Sequence, residues 1–251
     1  TFTISFDDDR FDESSKAMAV SKHFGTKHHV FNCDSKKLLK HIDTVSTMFG
    51  EPFSDSSAIP LLSLCHEASS HITVALAGDG GDEIFYGYNK YQKLNDVVKL
   101  LKLTKVFPKT LKNFIHYRTN NKMLSVLSAF TDEGLFESIN AFNSKATVRG
   151  LVNTSDTHHI CESSGYLLDN MVSKFAKHDC KYFLEGDILV KTDRCSMRYG
   201  LEARVPLLDH KLIEFIDTIS FSQVWNGEKK HLLKEVYLMN EYKESYFSLQ
   251  Y

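Results

Sequence analysis

Residues 72–83 read ITVALAGDGGDE, and this stretch decides how the rest of the chain is interpreted. From Ile72 to Leu76 it is apolar and partly β-branched, which predicts a strand buried on both faces of a sheet. From Gly78 to Glu83 three glycines let the backbone turn sharply and approach a ligand closely. Paired acids where a strand ends suit a nucleotide whose phosphates carry Mg²⁺. A tight turn into a helix, with Asp79 or Asp82 as its N-cap, is the alternative.

The overall composition is that of an ordinary globular protein. The 251 residues are enough for one large domain or two small ones, and 42% of them are hydrophobic. The formal net charge of −2 provides no general attraction for nucleic acid or for a membrane surface, so neither is expected as a partner. The sequence contains no apolar run of transmembrane length and no signal peptide.

Five cysteines are widely spaced, odd in number and without a CxxC pair; they are Cys33, Cys65, Cys161, Cys180 and Cys195. This pattern argues against a disulfide framework or a zinc site, and it favours reduced thiols in a cytoplasmic protein. Cys65 and Cys195 lie in apolar helical patterns and are predicted to belong to the core. Because Thr1 already lies in a predicted strand, we expect the chain to be a fragment with its true N-terminus upstream.

Strands and helices alternate over residues 1–91, which predicts an α/β fold with a mostly parallel sheet and flanking helices. Leu38, Leu39, Ile42 and Val45 are expected to face inward from one of these helices. The predicted strands cover 1–6, 28–31 and 72–76, and the predicted helices cover 13–24, 36–49 and 60–70.

Helical patterns follow, as a region at 92–185 and a part at 186–251 that contributes to the active site. The basic stretch at 92–118 is predicted to be a solvated helix face, with a patch for an anionic partner as the alternative.

Four separated segments, in this order and spacing, resemble the synthetase domain of the asparagine synthetase family. Each alone is weak evidence, whereas the ordered combination is specific. The segments are TFTISF at 1–6 with DES at 12–14 and FGTKHH at 24–29, EPFSDSSAIP at 51–60 leading to GDGGDEIFYGY at 78–88, DILVKTDRCSMRYGLEARVPLLDH at 187–210, and GEKKHLLK at 227–234.

The resemblance implies an adenine nucleotide alpha hydrolase or ATP pyrophosphatase-like fold, with a helical subdomain added to the parallel sheet. Members of this family activate a carboxylate with ATP, form an acyl-adenylate and pyrophosphate, and then let ammonia or another amine displace AMP. The implied enzyme is a ligase of asparagine biosynthesis that converts aspartate with glutamine-derived ammonia, uses ATP and Mg²⁺, and can form a homodimer. Other acceptors within the family are a uronic acid of surface polysaccharide or a lactam or cyclic-peptide precursor. A non-catalytic fragment of the same fold is a further alternative.

The chain departs from the family pattern in three places. It lacks the serine- and glycine-rich pyrophosphate loop that precedes the first strand, the N-terminal glutaminase domain with its cysteine nucleophile, and the basic segment after Lys230. We therefore expect this chain by itself to be inactive.

The resemblance assigns residues 78–83, here called the acidic loop, to the nucleotide. Asp82 matches the family's Mg²⁺-binding acid, with a helix N-cap as the alternative. Gly78 matches a backbone position at the nucleotide, and the amides of Gly80 and Gly81 are expected to point at phosphate. Asp79 is expected to orient the incoming amine or to take its proton, with a structural hydrogen bond as the alternative.

Lys230 matches a catalytic lysine that stabilises charge on the α-phosphate and pyrophosphate. An exposed helix lysine is the alternative, and neighbouring Lys229 makes the assignment ambiguous by one residue. Ile4 and Ser5 resemble strand positions that line the adenine, although ordinary sheet core explains Ile4 nearly as well. Asp209 is predicted to cap the next helix.

The acceptor carboxylate is expected near Ser56 and Ser57, whose alternative role is an ordinary helix cap. Asp193 and Arg194 are further candidates for the substrate side. Arg194 and Arg198 lie four residues apart on one helix and could hold a carboxylate together, with ion pairing to core acids as the alternative.

Overall fold

The computed structural model describes residues 1–94, 136, 139–141, 147, 150–151 and 171–239. These form two compact units. Unit 1 contains residues 1–81, 181–219 and 232–239, and unit 2 contains the described residues of 82–180 together with 220–231. No helix in the described ranges is long and apolar enough to cross a membrane. The predicted basic region lies outside them, apart from residues 92–94.

Short strands and helices alternate at the start of the chain, and helices dominate from residue 171 onward. The strands are β1 (Phe2–Ser5), β2 (His29–Asn32), β3 (Val74–Leu76) and β4 (Glu202–Arg204). The α-helices are α1 (Ser14–Phe24), α2 (Ser35–Leu39), α3 (Ile42–Met48), α4 (Ala58–Ser69), α5 (Gly81–Ile84), α6 (Met171–His178), α7 (Leu189–Met197), α8 (His210–Thr218), α9 (Phe221–Val224) and α10 (His231–Met239). A π-helix spans Asp179–Ile188 and a 3₁₀-helix spans Pro206–Leu208.

Both strand pairs in unit 1 are parallel, which confirms the α/β prediction at that level. β1 pairs with β2 from Phe2 opposite His29 to Ser5 opposite Asn32, and β3 pairs with β4 from Val74 opposite Glu202 to Leu76 opposite Arg204. The described residues thus form two two-stranded sheets, whereas the sequence predicted one sheet. Strand β4 was not predicted, because three residues with two charged side chains carry no strand pattern of their own. The narrower fold-family assignment stays a prediction.

The core of unit 1 lies where α4 meets α7. Ala58, Leu62 and Cys65 of α4 are buried with Cys195 of α7, whose thiol lies 3.5 Å from the Ala58 carbonyl oxygen. The prediction that Cys65 and Cys195 are core residues is confirmed. Burial raises the pKa of Cys65 to about 11 and that of Cys195 to about 12, because the thiolate is poorly solvated there.

The single helix predicted over residues 36–49 is wrong, since α2 and α3 replace it. The amides of residues 40 and 41 bond to carbonyl oxygens three residues earlier, which tightens the last turn of α2 and ends it. Leu39 is consequently 63% exposed and Ile42 is also exposed, although both were predicted to face inward. Val45 does pack against the unit 1 core.

The predicted burial of residues 72–76 on both faces is also wrong. The strand itself is shorter, and Val74 and Leu76 are exposed, Leu76 at 75%. Ala75 between them packs against the unit 1 core. β3 therefore has one covered face, and the apolar run does not reveal this because its exposed positions are also apolar.

A side-chain cap begins α8, and a glycine ends α1. The Asp209 carboxylate accepts hydrogen bonds from the amides of Lys211 (2.9 Å) and Leu212 (3.4 Å), so the predicted cap of α8 is confirmed. Gly25 ends α1 with φ +62°, a conformation that suits glycine.

Unit 2 has an aromatic core that encloses two carboxylates. Tyr91, Phe175 and Trp225 are buried in it. Fully buried Asp179 accepts hydrogen bonds from Tyr91 Oη at 2.7 Å and Lys90 Nζ at 2.8 Å. Its negative charge is therefore paired and hydrogen-bonded, as buried charges must be. Glu83 is the second buried carboxylate.

Candidate active site

The candidate residues fall in both units. In unit 1 the glycines of the acidic loop have a packing role. Gly80 has φ +80°, and a Cβ there would lie 2.3 Å from Leu208 Cδ2. A Cβ on Gly81 would lie 3.0 Å from Leu207 Cδ1, whereas Gly78 has open space. Close contact with the 3₁₀-helix therefore explains two of the three glycines. Their predicted contacts with phosphate stay predictions.

Asp79 is held by α7 in unit 1. Its Oδ2 accepts a hydrogen bond from the hydroxyl of Thr192 at 2.8 Å, and the Thr192 side chain is buried. The structural hydrogen bond that sequence reasoning left open is thus present. It fixes the orientation of the carboxylate, and the role of Asp79 toward an amine stays a prediction.

A cavity of about 420 Å³ in unit 1 lies beside Asp79 and Thr192. Ile4 lines it, whereas Ser5 is not among its lining residues. Most of its wall is apolar, and its charged lining residues are Glu13, Asp79 and Lys191. The remaining lining residues are Phe2, Thr3, Phe6, Phe11, Ser57, Pro60, Leu61, Leu64 and Ala77. The cavity is open to solvent on one side and has room for a small ligand with a few polar groups.

Lys191 lines this cavity and also contacts the loop before α4. Its Nζ lies 2.5 Å from Asp55 Oδ2 and 2.8 Å from Ser57 Oγ, and the Ser57 hydroxyl donates to Asp55 Oδ1 at 2.8 Å. Burial alone would raise the pKa of Asp55, but the hydrogen bonds from Lys191 and Ser57 lower it below its usual value. Ser57 occupies the N-cap position of α4, as the cap alternative predicted, but its side chain makes no cap hydrogen bond to the helix.

Asp187 lies one helical turn before Lys191, near the end of the π-helix. Its buried Oδ1 has no hydrogen-bond partner within the described part of the chain. Burial and the adjacent Asp55 carboxylate raise the pKa of Asp187, and the Lys191 ammonium acts in the opposite direction. A raised pKa favours the protonated acid, which suits a carboxyl group beside a second carboxylate.

In unit 2, Asp82 and Lys230 form an ion pair. Asp82 Oδ1 lies 3.1 Å from Lys230 Nζ, and the two side chains are 38% and 41% exposed. Lys230 has φ +53°, which is uncommon for a residue with a side chain, and its amide donates to the Phe85 carbonyl oxygen at 3.1 Å. Of the two lysines that the sequence left open, Lys230 is the one that this contact places beside the acidic loop.

Gly87 allows the Asp82–Lys230 contact. A Cβ at this position would lie 1.7 Å from Asp82 Oδ1 and 2.5 Å from Lys230 Cε. The Gly87 amide also donates to the Asp82 carbonyl oxygen at 2.8 Å. Any side chain here would displace both charged groups.

Glu83, which follows Asp82, is buried and accepts a hydrogen bond from Tyr88 Oη at 2.5 Å. Burial raises its pKa, the bond from Tyr88 opposes this effect, and the nearby charges of Asp82 and Asp179 add to it. Glu83 thus anchors the acidic loop in unit 2, while Asp82 remains half-exposed.

Asp82 could serve as one protein ligand of a Mg²⁺ ion that is otherwise held by phosphate oxygens and water. Among the described residues, no group of three or more His, Cys, Asp or Glu side chains could hold a metal. Mg²⁺ is usually held by one or two carboxylates together with phosphate oxygens and water, and does not need a cage of protein ligands. A half-exposed carboxylate beside a cation matches that donor set. The metal itself stays a prediction.

Some predicted substrate residues are not brought to the cavity. Ser56, Asp193 and Arg194 are exposed and are not among its lining residues. Arg198 is exposed, with its guanidinium 5.9 Å from the centre of the Tyr199 ring. Since each helical residue turns about 100°, the positions that follow Lys191 and Thr192 face away from them.

Sequence reasoning did not select Lys191, Thr192, Asp187 or Gly87. A signal for Lys191 was present, because it lies four residues before Cys195, which was predicted to be core. Residues at i and i+4 share one helix face, so this spacing predicts that Lys191 points inward. Nothing local marks Gly87, since the Lys230 side chain that it accommodates beside Asp82 comes from a distant segment.

The sequence pattern of the asparagine synthase family matches residues 1–238. The chain belongs to the asparagine synthase family.

Relatives within the asparagine synthase family carry matching names. Asparagine synthetase [glutamine-hydrolyzing] 1 of Bacillus subtilis (strain 168) is 26% identical over 252 residues, which cover 94% of this chain and 39% of the relative. Putative asparagine synthetase [glutamine-hydrolyzing] of Mycobacterium bovis is 28% identical over 226 residues, covering 83% of this chain and 33% of the relative. Putative asparagine synthetase [glutamine-hydrolyzing] 2 of Methanocaldococcus jannaschii is 38% identical over 88 residues, which are 35% of this chain and 17% of the relative. The chain thus spans about two fifths or less of the length of these relatives.

Proposed function

We propose that this chain is the synthetase part of an ATP-dependent ligase that forms an amide through an acyl-adenylate. The proposed acceptor is aspartate, the product is asparagine, and the nitrogen comes from glutamine. Family membership over residues 1–238 supports the ligase class, and the names of the relatives support the substrates.

The observation that carries the proposal is the contact between Asp82 and Lys230. Two residues from distant segments meet at 3.1 Å with both side chains half-exposed. A pair in this state contributes little to stability, so its charges are available to a ligand. Phosphates need both a cation and, for their metal, a carboxylate, and this contact offers both.

The reaction has two steps. An oxygen of the acceptor carboxylate attacks the α-phosphorus of ATP, and the bond from that phosphorus to the pyrophosphate oxygen breaks. The nitrogen of ammonia then attacks the acyl carbon, the bond from this carbon to the AMP oxygen breaks, and the nitrogen loses a proton. Lys230 stabilises the negative charge that develops on the α-phosphate and on pyrophosphate. Asp79, oriented by Thr192, holds the amine or takes its proton.

Asp82 is the residue that would hold Mg²⁺, which neutralises charge on the leaving pyrophosphate when it is bound. The remaining assignments follow the family resemblance. Ile4 and Ser5 contact the adenine, and the loop backbone contacts phosphate. The loop positions are Gly78, Gly80 and Gly81, and the acceptor-side positions are Ser56, Ser57, Asp193 and Arg194.

The test is ATP–pyrophosphate exchange by the protein that carries this sequence, with aspartate and with a uronic acid as alternative acceptors. We expect exchange that depends on aspartate. Replacing Asp82 with Ala should abolish it, whereas Asp217→Ala, which removes an exposed carboxylate on α8, should not change the rate.

Exchange with the uronic acid but not with aspartate would reject the asparagine assignment and favour a sugar amidotransferase. Exchange with neither acceptor would favour a lactam-forming or non-catalytic relative. A near-normal rate for Asp82→Ala would contradict the role of this residue.

A further inference from the structure

The cavity in unit 1 has an asymmetric charge distribution. Lys191 is the one cation among the described residues that line it, and the acids Glu13 and Asp79 lie elsewhere on its wall. The Lys191 side chain is only 13% exposed, so its ammonium is largely removed from water. A cation held in this way interacts more strongly with an anionic ligand than a surface lysine does.

The ammonium of Lys191 retains one donor. A lysine ammonium carries three N–H groups. Asp55 Oδ2 and Ser57 Oγ accept two of them, at 2.5 and 2.8 Å. Within the described part of the chain, no acceptor is present for the third. One N–H of a lysine that lines the cavity therefore remains for an oxygen of a ligand.

Asp187 determines the net charge around this ammonium. Asp187 interacts electrostatically with Asp55, which belongs to the loop before α4, and with Lys191, which belongs to α7. Two ionised carboxylates beside one ammonium would leave a net charge of −1, which repels an anion. A protonated Asp187 makes the group of three neutral overall. Oδ1 of Asp187 is buried without a hydrogen-bond partner in the described part of the chain, and burial together with the Asp55 carboxylate raises the pKa of Asp187, so both observations favour the protonated acid over a second buried charge.

We propose that Lys191 is a further binding residue, which holds the carboxylate of the acceptor through its third N–H. Asp55 and Asp187 are positioning residues that hold the ammonium in place and keep its surroundings neutral. The identity of the bound carboxylate as the acceptor rests on the proposed function. A single remaining donor in a neutral surrounding suits a singly charged carboxylate better than a phosphate, which carries more charge.

Direct binding measurements test this inference without turnover. Isothermal titration at pH 7 would give the Kd of aspartate and of ATP for the wild type, Lys191→Gln, Lys191→Arg and Asp187→Asn. Lys211→Gln, at an exposed lysine of α8, is the matched control. Circular dichroism and thermal melting check that each variant is folded.

We expect the Kd of aspartate to rise about 10- to 100-fold in Lys191→Gln, which corresponds to one lost charge-assisted hydrogen bond. The Kd of ATP should stay unchanged. Lys191→Arg keeps the charge and should recover most of the affinity, and Lys211→Gln should bind as the wild type does. Asp187→Asn places a neutral side chain at this position. The Kd of aspartate should therefore stay within about threefold of the wild-type value, a smaller change than the loss of one charge-assisted hydrogen bond causes.

Wild-type protein that does not bind aspartate would overturn the inference. Equal affinity in Lys191→Gln and the wild type would also overturn it, as would a loss of ATP affinity as large as the loss for aspartate. If Lys191→Gln does not fold, Asp187→Asn still decides, because a tenfold or larger loss of aspartate affinity there contradicts a neutral Asp187. Aspartate binding that depends on Lys191 without any ATP–pyrophosphate exchange would retain the binding site and reject the proposed function.

Discussion

At the scale of single residues, Lys230 is where the proposed role of a side chain is most separable from its contribution to stability. Its ion pair with Asp82 is about 40% exposed, and pairs of this kind contribute about 0–1 kcal/mol to folding. The left-handed backbone at Lys230 is nevertheless maintained, fixed by the bond from its amide to Phe85. The unfavourable backbone conformation of Lys230 is therefore explained better by the proposed role of its ammonium than by the stability of its ion pair.

Replacing Lys230 with Met should lower ATP–pyrophosphate exchange about 10²- to 10³-fold, the loss expected for one group that stabilises developing charge. The free energy of unfolding should change by less than about 1 kcal/mol, since the pair is half-exposed. Exchange assays and urea denaturation measure the two quantities. Lys229→Met is the matched control, and a loss of exchange at Lys229 as large as at Lys230 would move the role by one residue.

Gly87→Ala tests the same contact without removing a charge. The new Cβ would overlap Asp82 Oδ1 and crowd Lys230 Cε, and both are ends of flexible side chains that can move aside. We expect the fold to survive and exchange to fall, since the two charged groups are displaced. Gly186→Ala, where a Cβ has open space, serves as the control. Full activity in Gly87→Ala would show that the geometry of the pair is not needed.

At the scale of elements, the contact between α4 and α7 provides most of the described core of unit 1. The sequence identified both helices and the burial of Cys65 and Cys195, because a helix with one apolar face carries its own signal. The sequence did not predict α2 and α3 as separate helices, and it did not predict β4. The hydrogen bonds of residues 40 and 41 separate α2 from α3, and β4 is a strand because it pairs with β3. Lys191 was missed for a related reason, since its partner Asp55 comes from a distant segment.

Two leucines test this account of the core. Leu62→Ala should lower the free energy of unfolding by about 2–5 kcal/mol, because it leaves a cavity where α4 is fully buried. Leu39→Ala should change it by less than about 0.5 kcal/mol, since that side chain is exposed at the end of α2. Chemical denaturation of both variants gives the comparison. Similar losses would restore the inward orientation that the sequence predicted for Leu39.

At the scale of the whole molecule, the chain enters each unit more than once. Residues 220–231 belong with the described residues of 82–180, and Trp225 shares a core with Tyr91 and Phe175. Sequence patterns are local, so they predicted three consecutive parts at 1–91, 92–185 and 186–251, and that consecutive division stays a prediction. The ordered family segments nevertheless selected both Asp82 and Lys230 as candidates, and these two meet in unit 2, because the order of segments in the chain does not depend on how the units fold.

The central claim is that the acceptor carboxylate attacks the α-phosphorus of ATP. The most direct measurement uses aspartate with ¹⁸O in its side-chain carboxylate, and follows the label by mass spectrometry of the nucleotide product of the active protein. An acyl-adenylate transfers one ¹⁸O atom to AMP when the amine displaces it, so labelled AMP and unlabelled pyrophosphate are predicted. ADP with the label in inorganic phosphate would show attack on the γ-phosphorus instead and would contradict the proposed chemistry.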